Sequence, residues 1–257
     1  MKEEIYTYFI GTAGSGKSTL SDTFQKWLKI HELDSIIVNL DPGADNLPYE
    51  PNIDIRDWIS LEEIMESYEL GPNGAQIACA DLIALNTSEI KESIQSFKTD
   101  YVIIDTPGQL ELFVFRESGK YIIDFLNPEK SIIGYILDPA LTKTPTGFIS
   151  QLLLSMSANF RLGYPQINIL SKSDLIPEEE IKKILSWTEN NELLTDAINL
   201  EKPSIYNEMS EGLLNIMNSF ENQAIIYPTG KTGYKGIDDI YTTIQLRFKG
   251  GEDILSD

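Results

Sequence analysis

Residues 11–19 read Gly11-Thr12-Ala13-Gly14-Ser15-Gly16-Lys17-Ser18-Thr19. They lie between the apolar run Ile5-Tyr6-Thr7-Tyr8-Phe9-Ile10 and a segment, 19–30, in which Leu20, Phe24, Trp27 and Leu28 recur at helical spacing. The stretch fits G-x-x-x-x-G-K-[ST] in the setting that gives the pattern its meaning, a strand before it and a helix after it. Glycines let main-chain N–H groups turn inward around phosphate oxygens, and the helix N-terminus adds its partial positive charge. The expected nucleotide contacts are Gly11, Ala13, Gly14, Ser15, Gly16, Lys17, Ser18 and Thr19, with Lys17 reaching the β and γ oxygens and Ser18 placed to ligate magnesium. A dinucleotide-binding βα turn also uses glycines, but it has no need of Lys followed by Ser.

Outward from this loop the chain keeps alternating. Apolar strands at 35–40, 101–104, 131–137, 166–170 and 224–227 are separated by helical segments. One of these opens on the capping box Ser60-Leu61-Glu62-Glu63, and another carries Ile90, Ile94 and Phe97 on one face. The alternation predicts an α/β, three-layer P-loop NTPase fold, a mainly parallel sheet covered by helices on both faces. Residues 41–100 and 177–222 are too long for simple connections and read as helical insertions. A single domain over 1–250 with a frayed tail at 251–257 is expected.

Composition narrows the partners. The 257 residues hold 40 acidic against 20 basic side chains, a formal net charge of −20, which repels polyanions and anionic lipid at long range. Nucleic acid and membrane surfaces are therefore excluded as partners, and no run is long and apolar enough for a signal h-region or a spanning helix. The lone Cys79, between Ala78 and Ala80, reads as a small core residue of a chain kept in a reducing cytoplasm. The lone His31, where the first helix ends, reads as a surface or capping residue.

Further chemistry gathers at the ends of the strands. Asp105-Thr106-Pro107-Gly108-Gln109-Leu110-Glu111 follows the 101–104 strand. There Asp105 can hold magnesium through water, the Gly108 N–H can sense a γ-phosphate, and Gln109 and Glu111 can orient and polarise an attacking water. Asp41, after the second strand, is a further candidate for the magnesium shell or the water. The expected metal set is thus Ser18, Asp41 and Asp105 around Mg2+. Lys172-Ser173-Asp174 follows the fifth strand. A carboxylate at Asp174 can accept guanine N1–H and N2–H2 together, where adenine would leave it unpaired, while Lys172 lays its alkyl stem along the base. Ser171 stands where Asn is more frequent and lacks the amide that braces neighbouring loops. Thr229, in Pro228-Thr229-Gly230-Lys231-Thr232-Gly233, is placed to offer a main-chain N–H to the base.

Gly71-Pro72-Asn73, with the cradle, Asn39-Leu40-Asp41-Pro42, Leu47-Pro48-Tyr49-Glu50-Pro51 and Asp105-Thr106-Pro107-Gly108-Gln109, resembles the GPN-loop GTPases, and the motifs fall in family order over nearly the whole chain. The resemblance implies a homodimer of the SIMIBI class, in which Asn73 of one subunit reaches the phosphates held by the other. It also implies binding of GTP and GDP, and clients in the assembly of large complexes, RNA polymerase II among the eukaryotic relatives. The archaeal-type homodimeric form fits the short tail. The working set for hydrolysis is Asp41, Asn73, Asp105, Gln109 and Glu111, with Arg56 and Arg116 expected in surface or helix roles. Beside hydrolysis stand a nucleotide-gated scaffold with incidental turnover, an ATPase of the same class, and phosphoryl transfer to a small molecule or RNA end.

Overall fold

The computed structural model describes residues 4–201, Gly212 and 225–250. Its centre is β1, Ile5–Gly11, buried at every position, as a largely apolar strand is when helices cover both faces. Around it stand β2 (Ser35–Asn39), β3 (Ile53–Asp54), β4 (Tyr101–Asp105), β5 (Ser131–Leu137), β6 (Gln166–Leu170) and β7 (Ile226–Pro228). They form one sheet in the order β3-β2-β4-β1-β5-β6-β7, and every pairing is parallel. The three-layer α/β expectation is met. The two-residue edge strand β3 was not foreseen.

Side chains alternate between the two faces along each strand. Tyr6, Tyr8, Ile10, Val38 and Ile104 point into one core, shared with α3 (Pro72–Leu85), α4 (Thr87–Gln95), α6 (Glu117–Leu126) and α8 (Pro145–Leu162). Ile5, Phe9, Ile37 and Ile103 point into the other, shared with α1 (Lys17–Ile30) and α11 (Ile237–Phe248). Phe9 is fully buried there, worth roughly 1.5–3 kcal/mol of transfer free energy.

The first insertion holds α2 (Leu61–Ser67), α3 and α4. Ser60 caps α2 by accepting from the Glu63 N–H at 3.2 Å, and Pro72 opens α3, where its missing N–H costs nothing. Cys79 is buried on α3, and Ile90 and Ile94 are buried on α4. The second insertion holds α9 (Glu178–Glu189) and α10 (Asn191–Leu200); its remainder, the start of the expected 224–227 strand and the 251–257 tail lie outside the described residues. His31 sits at the C-cap of α1 with its ring 4.0 Å from that of Trp27. Among the described residues no helix is long and apolar enough to cross a membrane.

Register aligns the site. Phe9 of β1 and Asn39 of β2 both pair with Asp105 of β4, so the loops leaving these three strands start side by side. In open α/β sheets that carboxyl edge, where strand order reverses direction around β1, is where ligands bind.

Candidate functional site

The loop from β1 to α1 is a tight cradle, closed by Ser15 N–H donating to the Thr12 carbonyl at 3.1 Å. Gly16 caps α1 at φ 101°, a conformation that carries a steric cost for any residue with a Cβ. Lys17 is 5% exposed, and its ammonium donates to the carbonyls of Gly11 (3.0 Å), Thr12 (3.0 Å) and Gly108 (2.9 Å). Burial pulls Lys17 below the ordinary lysine range, against the opposing charges of Asp105 and Asp41. The hydroxyl oxygens of Thr12 and Ser15 are buried without protein partners, polar atoms suited to a polar ligand.

Asp105 ends β4 1% exposed. Burial raises it from 3.8 to about 6, despite the Tyr49 and Ser18 hydroxyls beside it and the charge of Lys17. The Tyr49 hydroxyl donates to Asp105 Oδ2 at 2.6 Å, while Asp105 Oδ1 has no protein partner. Burial, then the charge of Asp105, drives the Tyr49 phenol far above its ordinary value, so it stays protonated and acts there as a donor. Asp41 accepts from Gly43 N–H and from Gly108 N–H, each at 2.9 Å. The Gly108 peptide is thereby held from both sides, its N–H by Asp41 and its carbonyl by Lys17. Asn39 braces this corner by accepting from the Asp41 N–H at 3.0 Å and donating to Asp54 at 2.9 Å.

These residues fit magnesium. Asp105 offers a buried carboxylate oxygen without a protein partner, with Ser18 beside it and Asp41 near enough to raise its pKa. Magnesium is ordinarily held by one or two carboxylates plus substrate phosphates, so a full protein cage is not required. Among the described residues no group of three or more His, Cys, Asp or Glu could hold a metal.

Gln109 precedes α5 (Leu110–Phe113), and its amide donates to Gln76 of α3 at 2.8 Å. Glu111 is exposed in the first turn of α5, and Asn73 is exposed in the first turn of α3, one turn before Gln76. The structure therefore links the Gly71-Pro72-Asn73 segment to Gln109 through Gln76, a residue with no distinguishing sequence signal. Arg56 pairs with Asp54 and Arg116 with Asp81, as surface roles require.

At the loops after β6 and β7, expected to read the base, the outcome is mixed. The Ser171 hydroxyl is buried and donates to the Ser15 carbonyl at 2.6 Å, so the brace to the cradle expected to be missing with Ser in place of Asn is present. Lys172 Nζ pairs with Asp138 at 2.6 Å. Asp174 Oδ2 accepts from both the N–H (3.1 Å) and hydroxyl (2.9 Å) of Thr232. Although its partial burial acts the other way, these bonds hold Asp174 below the usual carboxylate range. Thr229 does not present its amide: its N–H donates to Leu170 at 2.7 Å and its carbonyl accepts from Ser173 at 2.9 Å, because the β6–β7 pairing runs on into the loops. Gly230 packs directly on Asp174, where an added Cβ would lie 2.8 Å from the Asp174 Cβ. Thr232, Gly230, Asp138 and Tyr49 were given no role from sequence. Asp138, the residue after β5 at the same edge as Asp105, had a positional signal that could have found it, and Tyr49 lay within the quoted motif 47–51.

A family model described as "Conserved hypothetical ATP binding protein" matches residues 9–250. The chain is 36% identical over 238 residues to "GPN-loop GTPase PAB0955" of Pyrococcus abyssi, covering 91% of this chain and 93% of that protein. It is 36% identical over 216 residues to "GPN-loop GTPase 3" of Kluyveromyces lactis, covering 82% and 80%. The solved structure of the P. abyssi protein, a GTPase in apo form, superposes with a TM-score of 0.83 at 33% identity over 93% of this chain and 96% of that one.

Proposed function

The chain belongs to the GPN-loop GTPase family, and from that premise we propose that it is a magnesium-dependent, homodimeric enzyme of the cytoplasm, hydrolysing GTP to GDP and phosphate as a nucleotide-driven assembly switch. The observation that carries the reading is the meeting of Lys17 with the Gly108 carbonyl at 2.9 Å, beside Asp105 and Asp41. It joins the cradle to the loop after β4.

Cradle N–H groups and Lys17 bind the β- and γ-phosphates, exchanging the carbonyls Lys17 now holds for charged oxygens, a stronger kind of hydrogen bond. Ser18, Asp105 and Asp41 would hold Mg2+, which neutralises charge across the β and γ oxygens when bound. Gln109 orients the attacking water, and Glu111 stands as its proton acceptor. Asn73 of one subunit donates its neutral amide to phosphates held by the other. Two features support a second copy against this face: Asn73 is exposed, and α3, apolar on nearly every side, leaves Ile77 and Leu85 44% and 76% exposed. Asp174 and Lys172 read guanine, with Thr232 orienting the carboxylate.

The family description that names ATP favours a second reading, in which adenine is the base. Both readings meet one experiment, phosphate release from GTP and from ATP with magnesium. The wild-type chain is compared with Lys17→Ala, Asn73→Ala and a mixture of the two variants. Release from GTP, loss in each variant and partial recovery in the mixture are expected. Release from ATP alone sinks the guanine assignment, and no recovery despite confirmed mixed dimers sinks action in trans.

A further inference from the structure

The loop of residues 40–52 has one inward-facing aromatic. Tyr49 packs its ring against the core beneath α1 and α11, while Asp45, Asn46, Pro48 and Glu50 around it are exposed. Its hydroxyl reaches 56 residues along the chain to Asp105 Oδ2, leaving Oδ1 as the carboxylate oxygen without a protein partner. The same loop is fastened at both ends. Asp41 holds Gly108 N–H at its start, and Asn52 Oδ1 accepts from Ile37 N–H (2.9 Å) and Gln25 (3.2 Å) at its finish. A phenol held in this way is not free to swing, and neither is the carboxylate it holds.

We propose that Tyr49 is a positioning residue for the cation: its hydroxyl fixes the Asp105 carboxylate by Oδ2 and so reserves Oδ1 for the magnesium shell of the bound nucleotide. The inference rests on the reading of Asp105 as a magnesium residue. Groups that orient metal-binding carboxylates typically govern metal affinity by about 10- to 100-fold, although they never touch the ion. Tyr49 also makes cation binding and the placement of the 40–52 loop one event, since the residue that orients Asp105 is part of that loop.

The test is equilibrium binding of a fluorescent GDP to wild-type protein and to Tyr49→Phe, in EDTA and across a magnesium titration. Phe keeps the ring packing and removes only the donor. The expected result is equal affinity in EDTA, with half-saturating magnesium raised about 10- to 100-fold in the variant. A melting curve in EDTA runs beside it, and a merely structural hydroxyl would lower that curve and leave the magnesium midpoint alone. A midpoint within twofold of wild type overturns the inference while leaving the nucleotide reading intact. Wild-type binding that ignores magnesium altogether overturns both.

Discussion

Replacing Asp105 by Asn should stabilise the nucleotide-free, metal-free protein at neutral pH, and the size of the effect follows from the carboxylate's surroundings. The side chain is 1% exposed and its carboxyl titrates at about 6 in the folded chain against an ordinary 3.8. At ~1.4 kcal/mol per pKa unit, keeping it charged costs about 3 kcal/mol. The sign follows from proton counts. Between pH 4 and 6 the folded state binds more protons than the unfolded state, so this group's contribution to stability falls as pH rises. The cost is absent well below pH 4, about 1.5 kcal/mol at pH 5, and reaches its full ~3 kcal/mol by pH 7.5. Asn keeps the shape and can still accept from Tyr49, but carries no charge to bury. Urea unfolding of both proteins in EDTA, at pH 5 and pH 7.5, isolates the effect, because titrating groups not coupled to Asp105 cancel in the difference. The Asn variant should gain about 1.5 kcal/mol on wild type between the two pH values. Added magnesium and nucleotide should then favour the wild type more than the variant. A difference that stays flat with pH, or a variant less stable at pH 7.5, would refute the claim that this carboxylate is strained by burial.

Gly230→Ala puts a Cβ 2.8–2.9 Å from the Cβ, Cγ and Oδ1 of Asp174, so the carboxylate proposed to read the base must move. Losing its charge-assisted bonds to guanine should cost about 1.5–3 kcal/mol, roughly 10- to 150-fold in GDP affinity by calorimetry, and an unchanged affinity would contradict the assignment. Gly134→Ala puts a Cβ 2.7 Å from the Phe9 ring and 3.1 Å from Ile169 in the core beneath α1. Overpacking of this kind should cost about 1–3 kcal/mol, visible as a melting point several degrees lower, with nucleotide affinity at saturating magnesium unaltered.

The residues that could be read in advance are those whose signal is local. The cradle pattern, the apolar strands and the Ser60 cap each depend on neighbours a few positions away. What escaped depends on how loops meet. Tyr49 touches Asp105 across 56 residues, and Gln76 touches Gln109 across 33; no periodicity spans such gaps. At two residues, β3 is too short to show alternation, and it forms because β2 offers it an edge. Thr229 was assigned to the nucleotide because the loop after the last strand usually supplies N–H groups there. Its amide is instead spent on Leu170, since β6–β7 pairing continues one residue past β7. The brace from Ser171 went unseen because it depends on how closely the cradle approaches β6, which brings a hydroxyl within reach of the Ser15 carbonyl where a longer amide was thought necessary.

A buried lysine and a buried aspartate, with Asp41 half-buried beside them, are costly neighbours in a chain of net charge −20, and the way they share partners shows how the fold carries them. Lys17 spends its three protons on three carbonyls, and one of those belongs to Gly108, whose N–H is spent on Asp41. Lys17 and Asp41 are thus satisfied by main-chain dipoles, each taking one from the Gly108 peptide, while Asp105 takes the Tyr49 hydroxyl, with little direct ion pairing. On the proposed reading, a terminal phosphate would offer the same chemistry in stronger form, accepting hydrogen bonds from Lys17 and from Gly108 N–H, while a cation would take the electron pairs of Asp41 and Asp105. Because Gly108 is bonded through both ends of one peptide, the two exchanges are coupled: loosening its carbonyl from Lys17 alters the geometry that holds its N–H to Asp41. On the proposed reading, the loops of residues 40–52 and 105–109 would therefore answer together to a γ-phosphate. The contact between Gln109 and Gln76 carries that answer to α3, the helix that presents Asn73.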